Sequence, residues 1–277
     1  MTLWPDASLR SAEISKIATR FENQGFVETA KALKDVAMIL ETSQERSAPT
    51  DALKKTIDIL RTEFADKDSK LSEMFDFVSN CIGAAVLRDQ KQFHKRLLQA
   101  YPLIEKFGKK IAMMSTFAKP LLEMQTTSKK WWFLCKAILY GWNYEGVFDE
   151  SVRLVYILTC LAQGKNIRYR ECEWIPARDL RDSLSKLTKG NSEIIFAGFD
   201  PHTRNSIFHF SFDYDDSLQR IHLEDYDHRR KNVVKTDITL AEFDRKYKYL
   251  DAVNNMIMNI FFILNAKDLI QAKDPWA

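Results

Sequence analysis

Hydrophobic residues recur every three to four positions through most of this chain, which predicts a mainly helical protein. The first such segment, Ser8 to Gln24, carries its apolar residues at Leu9, Ile14, Ile17, Ala18 and Phe21. The same spacing resumes after Gly25, breaks at the polar stretch Thr42 to Pro49, and then continues toward Met124. Only 8 Gly and 7 Pro interrupt the chain, so long helices with few turns are expected. Residues 1–126 are therefore predicted to form an N-terminal bundle of about six helices, whose role the sequence leaves open.

A short polar patch, Gln125 to Ser128, is the predicted boundary with a second domain over residues 127–277. This second half opens with apolar helical patterns, which run over Lys129 to Tyr140, Asp149 to Leu161 and Ala177 to Leu187. Between them, Asn166 to Glu173 alternates poorly and is predicted to be an extended loop.

The periodicity changes to that of strands only once, near the C-terminus. Ser217 to Asp225 and Asn232 to Ile238 have the composition of two strands, and the turn between them predicts a β-hairpin over residues 217–238. Thr239 followed three residues later by Glu242 is a capping box, so a long amphipathic helix is predicted over residues 239–270. The fold class is mainly α, with a small β-hairpin insertion.

Asp200 followed by Pro201 is a strong helix start. Aspartate accepts hydrogen bonds from the first free amides of a helix, and proline at the first helical position gives up an amide that has no partner there. A helix over residues 200–212 follows from this signal. Its free amides and its dipole favour anions at the N-terminal end.

Three residues of this helix carry the predicted chemistry, namely Arg204, Asn205 and His209. Asn205 and His209 are four positions apart and share a helix face, with Arg204 beside them. Arginine grips phosphate oxygens through a planar fork and keeps its charge, while histidine gives or takes a proton near neutral pH. Such a face can hold a phosphodiester and move protons around it.

The pattern Arg204-Asn205-x-x-x-His209 resembles the signature of the HEPN superfamily of small helical domains, and the resemblance covers about residues 127–277. It implies a metal-independent endoribonuclease of toxin-antitoxin, CRISPR-associated or abortive-infection systems. A ribose 2′-OH would attack its own 3′-phosphate, leaving 2′,3′-cyclic phosphate and 5′-hydroxyl ends. In that chemistry His209 is the general base or the general acid, Arg204 stabilises the phosphorane, and Asn205 orients the phosphate or His209.

The resemblance also implies partners. HEPN-like domains usually dimerise so that two motifs face one cleft, which predicts a homodimer through the C-terminal domain with Tyr247 to Leu264 as the candidate interface. An antitoxin or another defence-system protein is a further expected partner. Such domains often place a polar residue on a neighbouring helix beside the motif, and Glu150 or Arg153 could serve.

RNA contacts are predicted around the motif. His202, in the first turn of the helix, is a candidate for touching phosphate. The hairpin supplies further candidate cations at Arg220, His228, Arg229, Arg230 and Lys231. Cations with nearby aromatic rings suit single-stranded RNA. Because acidic residues of the same hairpin balance these charges, an ordinary solvated hairpin is an equal interpretation.

Composition limits which other classes of protein are compatible with this chain. A net charge of +3 permits contact with nucleic acid without demanding it. The 4 cysteines lack metal-ligand spacing and the 5 histidines match no zinc pattern, so neither a metal nor a cofactor is expected. With no signal-peptide pattern and no apolar run long enough for a bilayer, a cytoplasmic location is expected. The alternative function is a non-catalytic interaction protein that binds RNA or a nucleotide without cutting it.

Overall fold

The computed structural model describes residues 7–43, 47–89, 91–93, 95, 109, 113, 116, 128–227 and 231–271. The chain divides into two compact units, one formed by residues 1–79 with 255–277 and the other by residues 80–254. The boundary predicted from the sequence, between residues 126 and 127, falls inside the second unit at a stretch outside the described residues.

The mainly helical class predicted from the hydrophobic pattern is confirmed. Four helices are described in the N-terminal half: α1 Ala7–Asn23, α2 Val27–Thr42, α3 Ala48–Lys67 and α4 Ser69–Arg88. In the first unit, the ring of Phe64 lies between those of Phe26 and Phe75, with centroid distances of 4.8 and 5.6 Å. The predicted helices beyond Phe93 fall almost entirely outside the described residues.

The second half continues with α5 Lys129–Asn143, a π-helical turn Tyr144–Phe148, α6 Asp149–Ala162, α7 Tyr169–Cys172, α8 Ala177–Thr188, a 3₁₀ turn Asn191–Phe196, α9 Pro201–Phe208 and α10 Leu240–Gln271. The short α7 lies within the segment Asn166 to Glu173, so the predicted extended loop holds for residues 166–168 and is wrong for α7. The buried Arg153 donates through Nε to the carbonyl of Cys172, the last residue of α7, at 3.2 Å, and through Nη2 to the carbonyl of Ile175 beyond the helix at 3.3 Å.

The sheet is antiparallel and has the order β1-β2-β3, with β1 Phe212–Asp215, β2 Arg220–Asp227 and β3 Asn232–Thr239. The predicted hairpin corresponds to β2 and β3, in which Arg220 pairs with Thr239 and Asp227 with Asn232. The first strand was not predicted, because it lies between the predicted end of the motif helix and the predicted start of the hairpin. Ile221 and Leu223 face the core from β2, so the sheet has one buried side.

The motif helix α9 is shorter than predicted, ending at Phe208 rather than at residue 212. Phe210 adopts a left-handed conformation with φ of 54°, and the Ser211 amide donates to the Ser206 carbonyl at 2.9 Å. This closes the helix with the 6→1 hydrogen bond of a Schellman motif, but with phenylalanine where glycine is usual. The turn sends the chain directly into β1.

Helix α10 begins at the predicted capping box. The Thr239 amide donates to Glu242 Oε2 at 2.7 Å, and the Glu242 amide donates to the Thr239 hydroxyl at 3.1 Å. Its apolar side chains are largely buried within the chain, Leu250 and Val253 completely. A homodimer remains a prediction, and these two residues could not form its interface. Among the described residues, no helix combines the length and the apolar character that crossing a bilayer requires.

Gly198 sets the approach of the motif helix to α10. A Cβ built on this glycine would lie 2.4 Å from the Leu250 amide nitrogen and 2.4 Å from the Lys246 carbonyl oxygen. Only glycine therefore lets the segment before α9 lie against the α10 backbone. The next residue, Phe199, stacks on Tyr144 of the π-helical turn with 5.0 Å between ring centroids.

Candidate active site

Asp200 fixes the start of the motif helix, as the sequence predicted. Its carboxylate accepts from the His202 amide at 3.0 Å, the Thr203 amide at 3.3 Å and the Thr203 hydroxyl at 2.8 Å. The Lys246 ammonium of α10 pairs with the same carboxylate. Burial works to raise the pKa of Asp200, but Lys246 and the Thr203 hydrogen bonds outweigh it and hold that pKa below its ordinary value. The cap is thus an ionised and firmly held carboxylate.

Arg204 is oriented by the π-helical turn between α5 and α6. The turn presents Glu145, whose Oε1 accepts from Arg204 Nε at 2.5 Å. The guanidinium also lies over the ring of Phe208, 4.9 Å from its centroid. Single π-helical turns are frequent at functional sites because the extra residue re-aims side chains. Here the turn places a carboxylate against the motif arginine.

Asn205 links the motif helix to the sheet. Its Oδ1 accepts from Arg204 Nη1 at 2.7 Å, and its Nδ2 donates to Asp225 Oδ2 on β2 at 3.2 Å. Only one orientation of the Asn205 side-chain amide fits these partners, because a guanidinium has no acceptor and a carboxylate has no donor. Asn205 is therefore held at both ends.

His202 contacts the same carboxylate oxygen as Asn205. Its Nδ1 is 2.7 Å from Asp225 Oδ2, and the Asp225 side chain is only 6% exposed. The Ser206 hydroxyl lies 2.8 Å from the carbonyls of both His202 and Glu224, which ties α9 to β2 a second time. Motif helix and hairpin thus form one polar assembly.

His209 stands at the C-cap of α9, where its amide donates to the Asn205 carbonyl at 2.9 Å. The ring makes no hydrogen bond to any part of the chain that the structure describes. Its sequence neighbours Phe208 and Phe210 are exposed, by 40% and 85%. The predicted one-turn separation of Asn205 and His209 holds, although His209 ends the helix rather than lying within it.

Two solvent-open clefts meet at this assembly. The larger, of about 1030 Å³, includes His202, and the smaller, of about 580 Å³, includes His209. Three residues line both clefts, namely Asn205, Asp225 and Tyr226. A ligand that lies across these three shared residues would meet the His202 ring on one side and the His209 ring on the other.

No protein-family model, curated protein or solved structure matches this chain. The site therefore has to be interpreted from its own residues.

The predicted RNA-binding residues are spread more widely than the motif. His202 lies in the larger cleft. Arg220 and Lys231 are exposed at opposite ends of the β2–β3 hairpin, and neither lines either cleft. His228, Arg229 and Arg230 lie outside the described residues.

Helix α8 supplies cations that the sequence interpretation missed. Arg178, Arg181 and Lys186 line the larger cleft together with His202. Arg181 pairs with Glu193 at 2.6 Å, whereas Arg178 and Lys186 form no ion pair with any described residue. Arg178 and Arg181 are three positions apart and therefore neighbours on the helix surface, which is the signal that could have identified this pair.

Glu150 and Arg153, the proposed neighbours of the motif, instead contact each other at 3.2 Å. Glu150 also accepts from the Tyr169 hydroxyl at 2.8 Å. Glu145, five residues earlier than Glu150, contacts the motif arginine instead.

No group of three His, Cys, Asp or Glu side chains within the described ranges is arranged to hold a metal ion. His222 pairs with Asp237 on β3 at 2.8 Å and lines neither cleft, so it lies apart from His202 and His209. That hydrogen bond raises the pKa of His222 above its ordinary value.

Proposed function

We propose that this chain is an endoribonuclease that cleaves single-stranded RNA through the ribose 2′-OH. The observation that carries the proposal is that Asn205 and His209 line one open cleft, while Arg204, which lines neither cleft, donates to the Asn205 side chain at 2.7 Å. A guanidinium, an oriented amide and an imidazole that makes no hydrogen bond to the described residues are the groups that phosphoryl transfer needs when no metal takes part.

In this reaction the 2′-oxygen attacks phosphorus and loses its proton, and the P–O5′ bond breaks as the 5′-oxygen gains one. The products are a 2′,3′-cyclic phosphate and a 5′-hydroxyl. Arg204 stabilises the charge that grows on the phosphorane oxygens, Asn205 positions the phosphate, and His209 transfers a proton. The exposed rings of Phe208 and Phe210 offer stacking surfaces for the unpaired bases beside it.

The test is incubation of the purified chain with a labelled single-stranded RNA and its DNA counterpart in EDTA. Arg204→Ala and His209→Ala are run alongside, with His222→Ala as the matched control, because that histidine lines neither cleft. We expect cleavage of RNA only, lost by orders of magnitude in the first two variants and retained in the control. Equal cleavage by wild type and His209→Ala would contradict the assignment.

A second function is favoured by the pairing of Arg204 with Glu145. A guanidinium already held by a carboxylate has to exchange or share that partner when it meets a phosphate, as it could in a module that binds RNA or a nucleotide without cutting it. Under this alternative, Arg204→Ala and His209→Ala weaken binding of a fluorescent RNA and no cleavage occurs in any variant.

The biological setting proposed for the nuclease is cytoplasmic toxicity or phage defence, with an antitoxin or defence-system protein as partner. Growth arrest on expression that His209→Ala relieves would support this role. Growth arrest unchanged by His209→Ala would contradict it.

A further inference from the structure

Within the described part of the chain, His202 has a buried carboxylate partner and the motif histidine His209 has none. Asp225 Oδ2 lies 2.7 Å from His202 Nδ1 and also accepts from Asn205 at 3.2 Å. A carboxylate that accepts from the ring requires the proton on Nδ1, so the neutral imidazole keeps its lone pair on Nε2. The carboxylate also stabilises the imidazolium that forms when Nε2 takes a proton.

This ring can reach a substrate. The His202 side chain is 44% exposed while its Asp225 partner is 6% exposed, so the anchor is buried and the ring opens to the larger cleft. His209 lines the smaller cleft, and Asn205, Asp225 and Tyr226 line both. His202 and His209 are seven positions apart, which corresponds to roughly 10 Å along the helix axis. The three residues that line both clefts lie between them.

We propose that His202 is the general base of the same reaction and that His209 is its general acid. This inference rests on the proposed function and deepens it. His202 Nε2 takes the proton of the 2′-OH as that oxygen bonds to phosphorus, and protonated His209 gives its proton to the 5′-oxygen as the P–O5′ bond breaks. In-line displacement places base and acid on opposite sides of the phosphate, as the two clefts do. One protomer then holds both proton-transfer groups, and cleavage needs no residue from a second copy.

A purely structural role is the competing explanation, since the His202–Asp225 contact also joins α9 to β2. The variant His202→Asn distinguishes this structural role from the proposed catalytic role. Asparagine places its Nδ2 close to the position of the histidine Nδ1 and can still donate to Asp225, but it has no group at the position of Nε2. His222→Asn is the matched control, because His222 makes the same kind of contact with Asp237 at 2.8 Å outside both clefts.

The experiment compares two short single-stranded RNAs that differ at one linkage. One has an ordinary phosphodiester, and the other has sulfur in place of the bridging 5′-oxygen. A thiolate leaves without protonation, so the sulfur substrate removes the need for an acid but not for a base. Cleavage rates at that linkage are measured for wild type, His202→Asn, His209→Ala and His222→Asn, after thermal unfolding has verified that each is folded.

On the ordinary RNA we expect His202→Asn and His209→Ala each to be slower than wild type by roughly 100-fold or more, and His222→Asn to match wild type. On the sulfur substrate His209→Ala should return to within about tenfold of wild type, while His202→Asn stays impaired. If folded His202→Asn cleaves ordinary RNA at the wild-type rate, or if sulfur restores it as fully as His209→Ala, the assignment is overturned. A wild-type protein that cleaves neither substrate contradicts the proposed function itself, and this inference with it.

Discussion

The side-chain amide of Asn205 donates a 3.2 Å hydrogen bond to the buried carboxylate of Asp225. This contact connects the motif helix to the second strand of the sheet, and it makes the hairpin a structural part of the site rather than an insertion beside it. The same carboxylate holds His202. Asp225 therefore contacts both His202 and Asn205, and it is one of the three residues that line both clefts.

Replacing this carboxylate should lower both activity and stability. Asp225→Asn keeps the size of the side chain but removes the charge that orients both Asn205 and the His202 ring. We expect kcat to fall roughly 100-fold or more, with a loss of about 1–3 kcal/mol in the free energy of unfolding. RNA cleavage assays and urea denaturation measure the two effects. Asp237→Asn, which alters the exposed His222 pair, should change neither substantially.

The sequence sufficed for those parts of the site whose signals are local. Asp200 and Pro201 indicated the start of one helix, and Thr239 with Glu242 indicated the next, because capping involves residues only three apart. The four-residue spacing of Asn205 and His209 likewise predicted that they share one helix face, and both line the smaller cleft.

Glu145 and Asp225 could not be found in the same way. They lie 59 residues before Arg204 and 20 after Asn205, and each reaches the site only through tertiary packing. A π-helical turn has no dependable sequence signal, and Asp225 is one of several acidic residues along the hairpin. The end of the motif helix was misplaced for a similar reason, because Phe210 adopts a left-handed conformation that its residue type disfavours.

The exposed cations of α8 are expected to bind the RNA backbone. Substituting Arg178 and Lys186 together by alanine should weaken RNA binding, leave kcat nearly unchanged, and reduce the slope of log K against log salt by about 0.7 for each phosphate that is no longer neutralised. Titrations of fluorescent RNA at several salt concentrations measure this slope. The double variant Arg220→Ala/Lys231→Ala tests the hairpin cations in parallel. A larger effect from that pair would place the RNA on the hairpin rather than in the larger cleft.

Gly198→Ala should be severely destabilising. The added methyl group would meet the backbone of Lys246 and Leu250 at 2.4 Å, and backbone atoms cannot turn aside as side-chain ends can. We expect a loss of about 3 kcal/mol or more in the free energy of unfolding, measured by urea denaturation. Gly83→Ala is the control, since a Cβ at that helical position meets nothing within 4 Å. A neutral Gly198→Ala would mean that the segment before α9 does not lie this close to α10.

Asp149 should make stability depend on pH. Burial raises its pKa to about 6, against the opposing charge of Arg153, and one of its oxygens has no hydrogen-bond partner among the described residues. The folded chain therefore binds the proton more tightly than the unfolded chain. The resulting stabilisation is complete below the unfolded pKa and is lost as the pH rises through about 6.

Between pH 4.5 and pH 7 the wild type should thus lose about 2 kcal/mol relative to Asp149→Asn, whose amide does not titrate. Urea unfolding of both proteins at the two pH values gives this difference directly, because the other titrating groups cancel. The same pH dependence in both proteins would show that Asp149 ionises normally in the folded state.

The central claim is that the 2′-OH of the substrate is the nucleophile, and a DNA oligonucleotide containing a single ribonucleotide tests it most directly. The chain is incubated with this substrate in EDTA, and the product masses are measured. We predict one cut, on the 3′ side of the ribonucleotide, with a 2′,3′-cyclic phosphate on one fragment and a 5′-hydroxyl on the other. Cutting elsewhere, or the same cut in an all-DNA strand, would contradict the account.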